Sequence, residues 1–195
     1  MKKTLLLFLF SLFSPLALAF SQADLVALLQ KPDNVQGQFE QQRFLNALPK
    51  PIIATGEFCL VKNRGLLWQM QQPFSSQLRI TPQGISQYLN GEWVTQNKLG
   101  QSGQIGLFLG LLSGNLSALQ SQFDMALTGQ TENWTLTLKP SSLLMQQIFT
   151  QIVITGNDNV QHIRLDEKQG DRTEIQFNQL LQNQPLSNFA QQSLQ

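Results

Sequence analysis

The chain has few of the residues on which catalytic and metal chemistry usually depends. It contains one cysteine and one histidine in 195 residues, which excludes an internal disulfide and metal sites built on several such ligands. Ser86 and Ser102 do not complete a G-x-S-x-G motif, and no glycine-rich phosphate loop is present. His162 alternates with Ile163 and Leu165, which predicts a solvent-facing strand residue rather than a catalytic base. These absences favour a binding protein over an enzyme, with no metal and no cofactor.

Charge is also scarce, because charged residues make up 13% of the chain against roughly 25% in typical soluble domains. Basic residues number 13 and acidic residues 12, and no stretch collects Lys and Arg into a patch. Nucleic acid is therefore excluded as a partner. The single cysteine, Cys59, lies in a strand-like segment and is interpreted as a small buried hydrophobe.

The chain has no apolar run of the roughly 20 residues that a transmembrane helix needs. Residues 1–19 instead combine two lysines, an apolar core and an A-x-A arrangement ending at Ala19, which is typical of a secretory signal peptide. We expect cleavage near Ala19 and a single mature domain of residues 20–195. A retained membrane anchor is the alternative. No N-terminal lipid is expected, because Cys59 does not follow the cleavage site.

Alternating apolar and polar residues dominate the mature chain. Ser21 and Asp24 predict the cap of a short helix that ends at Pro32, and Asn90-Gly91 is typical of a type I′ hairpin turn. The alternation predicts about ten sequential antiparallel strands, and hence a large curved sheet or an open barrel. The predicted strands cover residues 35–44, 51–62, 65–70, 76–80, 85–89, 92–96, 121–129, 133–139, 151–156, 160–167 and 173–179.

Residues 105–119, IGLFLGLLSGNLSAL, depart from this alternation and are named the lid segment below. Their apolar side chains recur at helical spacing, which predicts one or two short helices with a wide apolar face. Three glycines, each up to about 1 kcal/mol less favourable than alanine in a helix, make this a candidate for a segment that moves. A core helix that plugs one end of the barrel is the alternative. The apolar positions are Ile105, Phe108, Leu109, Leu112, Leu116 and Leu119.

Three patterns occur in a fixed order: VQGQFEQ at 35–41, GEFCLVKNRGLLWQMQQP at 56–73 and ITPQGISQYLNGEW at 80–93. With the N-terminal helix they resemble the LolA family of periplasmic lipoprotein carriers, and a weaker likeness extends through residues 134–178. The resemblance implies an unclosed antiparallel barrel of about eleven strands, with short helices forming a lid over an apolar cavity. It implies a monomeric periplasmic carrier that binds the acyl chains of lipoproteins. An inner-membrane release transporter and an outer-membrane acceptor are the implied partners.

The resemblance also assigns roles to residues. The family places a basic residue in the turn before the aromatic strand, where its guanidinium bonds lid carbonyls in the closed state, and the matching residue is Arg64. Gly65 follows, where the best-known carriers have a proline. A solvated turn arginine is the alternative for Arg64. The expected cavity-lining residues are Phe39, Phe58, Leu60 and Trp68 on the strands, and Ile105, Phe108, Leu109 and Leu112 in the lid segment.

Two other functions stay open at this point. The same fold can take another amphiphile, such as a glycolipid or a lipid-linked pigment precursor, because a cavity that contacts acyl chains hardly distinguishes headgroups. A secreted structural or saccharide-binding β domain with a filled core is the second alternative. A solvent-reachable apolar cavity is the feature that separates a carrier from the second alternative.

Overall fold

The computed structural model describes residues 20–95, 110, 112 and 114–195. The predicted signal peptide and the lid positions Ile105, Phe108 and Leu109 therefore lie outside the described residues. No helix in the described part of the chain is long and apolar enough to cross a membrane. In chain order the elements are α1 (Gln22–Leu29), β1 (Asn34–Phe44), β2 (Ile52–Val61), β3 (Gly65–Gln72), β4 (Ser76–Thr81), β5 (Gly84–Leu89), β6 (Glu92–Thr95), α2 (Ser117–Gln120), β7 (Phe123–Gln130), β8 (Asn133–Pro140), α3 (Leu143–Ile148), β9 (Phe149–Gly156), β10 (Val160–Glu167), β11 (Arg172–Gln182) and α4 (Asn188–Ser193).

Helix α1 begins with the capping box that the sequence predicts. The Asp24 backbone N–H donates to Ser21 Oγ at 3.2 Å, and the Ser21 backbone N–H donates to Asp24 Oδ2 at 2.9 Å. The hydrogen bonds from Ser21 also lower the pKa of Asp24. Leu25 and Leu29 are buried on one face, so the helix packs by its leucine edge.

The strands form one antiparallel sheet of 11 strands in the order β6-β5-β4-β3-β2-β1-β11-β10-β9-β8-β7. The first and last strands, β1 and β11, pair at its centre, and β6 and β7 are its edges. These edges are not paired with each other in the described part of the chain, so the predicted unclosed barrel with short helices is confirmed. The lid segment belongs to the connection between the two edges.

The predicted hairpins are present. Asn90 and Gly91 have φ angles of 52° and 93°, and they join β5 to β6 as the two-residue turn that the sequence predicts. The start of β1 lies beside the end of β2 and the end of β11, because Asn34 pairs with Val61 and Val35 pairs with Gln182. The β2–β3 turn, which follows Val61, is therefore at this end of the barrel. This end, which also contains the connection from α1 to β1, is named the first end below.

A second, smaller core lies outside the main interior cluster, where α4 packs against β2 and β3. Cys59 and Leu67 are buried there with Ala190 and Leu194, and Phe189 packs against them. Cys59 is thus a buried hydrophobe, as the sequence predicts.

Cys59 is expected to resist thiol reagents in the folded protein. Burial disfavours its thiolate and raises the pKa of Cys59 to about 11. At any pH below that value, the thiolate, which is the reactive form, is therefore scarcer in the folded protein than in the unfolded chain. Iodoacetamide at about pH 8 should leave the native protein unmodified while it fully modifies a denatured sample, as read by intact mass. Native modification at the denatured rate would contradict the packing of α4 over Cys59.

Candidate functional site

An aromatic cluster fills the middle of the barrel interior. The rings of Phe39 and Trp68 stack with centroids 3.6 Å apart, and Phe58 meets Phe177 edge to face at 5.1 Å. Cross-strand pairing explains the cluster, because Phe39 lies opposite Phe177 and Phe58 lies opposite Trp68. All four side chains are buried, together with the nearby Leu60. The strand residues that were expected to line a cavity therefore lie in the interior, namely Phe39, Phe58, Leu60 and Trp68. Their contact with cargo stays a prediction.

A pocket of about 460 Å³ opens at the first end of the barrel and is named the end pocket below. This volume is within the roughly 300–1,000 Å³ typical of small-molecule sites. Its floor contains Leu29, Val35 and Leu60, and its rim contains polar side chains of the α1–β1 connection and the β2–β3 turn. Gly110 and Asn115 contribute from the lid segment. The site therefore combines an apolar floor with a polar rim.

The floor of the end pocket separates it from a smaller cavity of about 20 Å³. Leu29, Val35 and Leu60 line both spaces, and the smaller one is also lined by Phe58 and the lid residue Leu112. Three buried aliphatic side chains therefore stand between the end pocket and the aromatic cluster. A chain that entered at the first end would reach the interior by displacing them and Leu112.

The described part of the lid segment is held against α1. Leu112, Leu116 and Leu119 are buried in the main core, and the Gln30 side-chain amide donates to the Gly114 carbonyl at 3.3 Å. Gly114 has a φ of +66°, and a Cβ at this position would lie 2.9 Å from Cβ of Leu29, so only glycine permits this approach. Sequence reasoning missed Gln30, since its bond to Gly114 joins residues 84 positions apart.

The β2–β3 turn projects Lys62 and Arg64 onto the rim of the end pocket. Its backbone is fixed, because Lys62 N–H donates to the Asp33 carbonyl at 2.9 Å and Arg64 N–H donates to the Val61 carbonyl at 3.1 Å. Gly65 has a φ of +140° and packs against the Ile80 carbonyl, which leaves no room for a side chain. Proline, whose φ is fixed near −65°, cannot adopt this conformation. A proline in place of Gly65 would therefore require a different turn conformation.

Arg64 differs from the other arginines of the protein. Arg43, Arg164 and Arg172 lie within 4 Å of carboxylates, and Arg79 stacks on Trp93 and donates to the Ser193 carbonyl. The Arg64 side chain is exposed at the end pocket, with no hydrogen bond or ion pair to any of the described residues. Its guanidinium is available for another interaction.

The described residues offer no arrangement for metal chemistry. Residues 20–95, 110, 112 and 114–195 contain no group of three His, Cys, Asp or Glu side chains that could hold a metal ion. His162 is half-buried on β10, opposite Gln176 of β11. The end pocket offers aliphatic side chains for apolar groups and charged or amide side chains for polar groups.

Comparison with known proteins gives one family. Residues 30–190 match the family described as outer membrane lipoprotein carrier protein LolA, which is a carrier family and not an enzyme family. A comparison with curated protein sequences gave no significant match.

Solved structures with similar folds have low sequence identity to this chain. A chain in the complex structure of Pseudomonas aeruginosa MucA/MucB is 14% identical with a TM-score of 0.51, and the match covers 85% of this chain and 57% of that one. A LolA superfamily protein from Nitrosomonas europaea is 8% identical with a TM-score of 0.49, covering 84% and 92%. The Mycobacterium tuberculosis lipoprotein LppX is 10% identical with a TM-score of 0.41, covering 86% and 99%. The first of these similarities concerns the fold alone, and this chain spans little more than half of that relative.

Proposed function

The chain belongs to the LolA family, and on that premise we propose that it carries the acyl chains of lipoproteins from the inner to the outer membrane through the periplasm. The observation that supports this proposal is the end pocket, whose apolar floor adjoins the small cavity beneath Leu112 and the aromatic cluster. The proposal includes removal of residues 1–19 near Ala19 and one mature domain of residues 20–195. A release transporter in the inner membrane and an acceptor in the outer membrane are its partners.

The hydrophobic effect supplies the affinity. Each methylene removed from water contributes about 0.8 kcal/mol, so one long acyl chain contributes on the order of 10 kcal/mol. A carrier must also release its cargo, which requires an empty state that is favourable enough to compete with the loaded one. The closed arrangement in which Leu112, Leu116 and Leu119 are buried supports such an empty state.

We assign the closure of the lid segment to three contacts. Its leucines pack into the core, Gln30 bonds the Gly114 carbonyl, and Arg64 is the proposed latch to lid carbonyls. The first two are observed in the described residues. The third extends the predicted latch and is supported by the position of Arg64 and Gly110 on the same pocket. Cargo that displaces the lid segment breaks all three contacts, which lowers the net affinity and permits release.

Another amphiphile is the second candidate cargo. The observation that favours it is the rim of the end pocket, where charged and amide side chains surround the position expected for a headgroup. A saccharide-binding domain is less well supported, because the end pocket has an aliphatic floor rather than an exposed aromatic platform.

The proposal is tested by displacement of an apolar fluorescent probe without detergent. A triacylated lipopeptide should displace the probe with one-to-one stoichiometry at about micromolar concentration, because its chains compete for the interior. The same peptide without acyl chains is the control and should not displace it. A lysolipid and a free fatty acid test the second candidate. Failure of both the probe and the lipopeptide to bind would contradict a carrier function.

A further inference from the structure

We propose that the end pocket binds an anionic group, a carboxylate or a phosphate, which the cargo carries next to its acyl chains. Lys62 and Arg64, whose side chains are exposed on its rim, supply the binding cations. The inference rests on the second candidate cargo of the proposed function, an amphiphile other than a lipoprotein, because it names the chemical class of that cargo in the same site. It goes beyond acyl-chain binding, since the chains alone do not distinguish a charged amphiphile from a neutral one.

The geometry of the β2–β3 turn is the first support. Lys62 and Arg64 line the end pocket on either side of Asn63, whose φ of 61° completes the turn. Hydrogen bonds to the Asp33 and Val61 carbonyls fix the turn backbone, while both cationic side chains stay exposed. Two cations are thus held beside an aliphatic floor, where an amphiphile presents its polar group once its chains point inward.

The local charge is the second support. Among the described residues that line the end pocket, Lys62 and Arg64 face a single carboxylate, that of Asp33. Neither cation forms an ion pair with any residue in the described ranges, whereas Arg43, Arg164 and Arg172 lie close to carboxylates. The chain as a whole is almost neutral, with a formal charge of +1 that includes the two lysines of the predicted signal peptide. The end pocket therefore concentrates two cations against one carboxylate at its rim, which favours an anion there.

The two proposed roles of Arg64 belong to different states. In the proposed latch its guanidinium bonds lid carbonyls in the closed empty state and is released from them in the loaded state. The freed guanidinium then binds the anionic group of the cargo, because a fork of N–H donors matches carboxylate and phosphate oxygens. Lys62 is the cleaner test of the inference, since it has no role in lid closure.

The experiment compares an acyl probe that ends in a carboxylate, dansylaminoundecanoic acid, with its uncharged primary amide. The unmodified protein should bind the acid roughly tenfold more tightly than the amide at low ionic strength, and added salt should reduce the preference. Lys62→Gln should remove most of the preference by weakening the binding of the acid. Lys168→Gln is the matched control, because Lys168 is an exposed turn lysine at the opposite end of the barrel. Thermal unfolding should be alike in the three proteins.

The outcomes separate this inference from the proposed function. Equal binding of acid and amide by the unmodified protein, or an unchanged preference in Lys62→Gln, would overturn the inference and leave the carrier function standing. Absence of binding for both probes would overturn the carrier function itself. Inorganic phosphate alone should not compete with the acid probe at equal concentration. Efficient competition by phosphate would overturn the assignment to an amphiphile, because it would identify a site for free anions.

Discussion

Arg64→Leu is expected to produce a carrier that accepts neutral acylated cargo but releases it poorly. If Arg64 bonds lid carbonyls only in the closed empty state, its loss removes roughly 1.5–3 kcal/mol from that state. The loaded state keeps its acyl contacts, so the balance moves toward retention by up to about a hundredfold. The gain should be smaller for an anionic cargo, since that cargo also loses a binding partner. Cargo retention on purified protein, followed by transfer to acceptor vesicles, measures the effect.

Two further variants sharpen the Arg64 experiment. Arg64→Lys should be intermediate, because an ammonium keeps the charge but loses the planar fork of donors. Gln30→Leu removes the observed bond to Gly114 and should increase retention less, by roughly fivefold, because a neutral hydrogen bond contributes about 1 kcal/mol. Retention and transfer in Arg64→Leu equal to those of the unmodified protein would show that Arg64 is a solvated turn residue.

Leu112→Asp should lower the affinity for an apolar probe by about ten- to a hundredfold, with little change in thermal unfolding. Leu112 lines the small cavity beneath the end pocket, and we expect it to lie against the acyl chains in the loaded state, where a carboxylate loses an apolar contact of about 1.5–3 kcal/mol and faces hydrocarbon. The new carboxylate can reach water if the lid segment undocks, so the barrel need not unfold. Titration of the probe and a thermal unfolding curve measure the two effects separately.

The matched control for Leu112→Asp is Ile152→Asp. Ile152 is fully buried on β9 and cannot reach water without opening the sheet, so a carboxylate there should abolish cooperative folding. If Leu112→Asp unfolds the protein as Ile152→Asp does, the lid segment is a plug that belongs to the core. Unchanged probe affinity in a folded Leu112→Asp protein would remove Leu112 from the binding site.

Much of this fold is predictable from local sequence patterns. The Ser21 cap, the alternation in the strands and the Asn90-Gly91 turn each act over a few residues, and all three appear in the structure as expected. Helices α3 and α4 were missed because each has only six residues, too few to show a helical period. Their serine caps, Ser142 and Ser187, were the available signals.

The candidate site is less predictable, because its contacts join distant parts of the chain. Alternation correctly placed Phe39, Phe58, Leu60 and Trp68 in the interior, yet ordinary core packing gives the same pattern. The bond from Gln30 to the lid segment depends on how α1 packs against the core, which no local pattern contains. The conformation of Gly65 depends on its contact with the Ile80 carbonyl of a neighbouring strand. Tertiary packing, rather than propensity, determines these features.

The central claim is that acyl chains occupy the barrel interior beside Trp68, and quenching by brominated acyl chains tests it most directly. The chain has three tryptophans, so replacing Trp93 and Trp134 with phenylalanine leaves Trp68 as the only one. A second protein that keeps only Trp93, which lies beside α4 on the outer face, is the control. A bromine atom quenches tryptophan fluorescence only at close contact. We predict that a bound brominated fatty acid strongly quenches Trp68 and leaves Trp93 nearly unchanged, whereas binding without quenching of Trp68 would contradict an interior site.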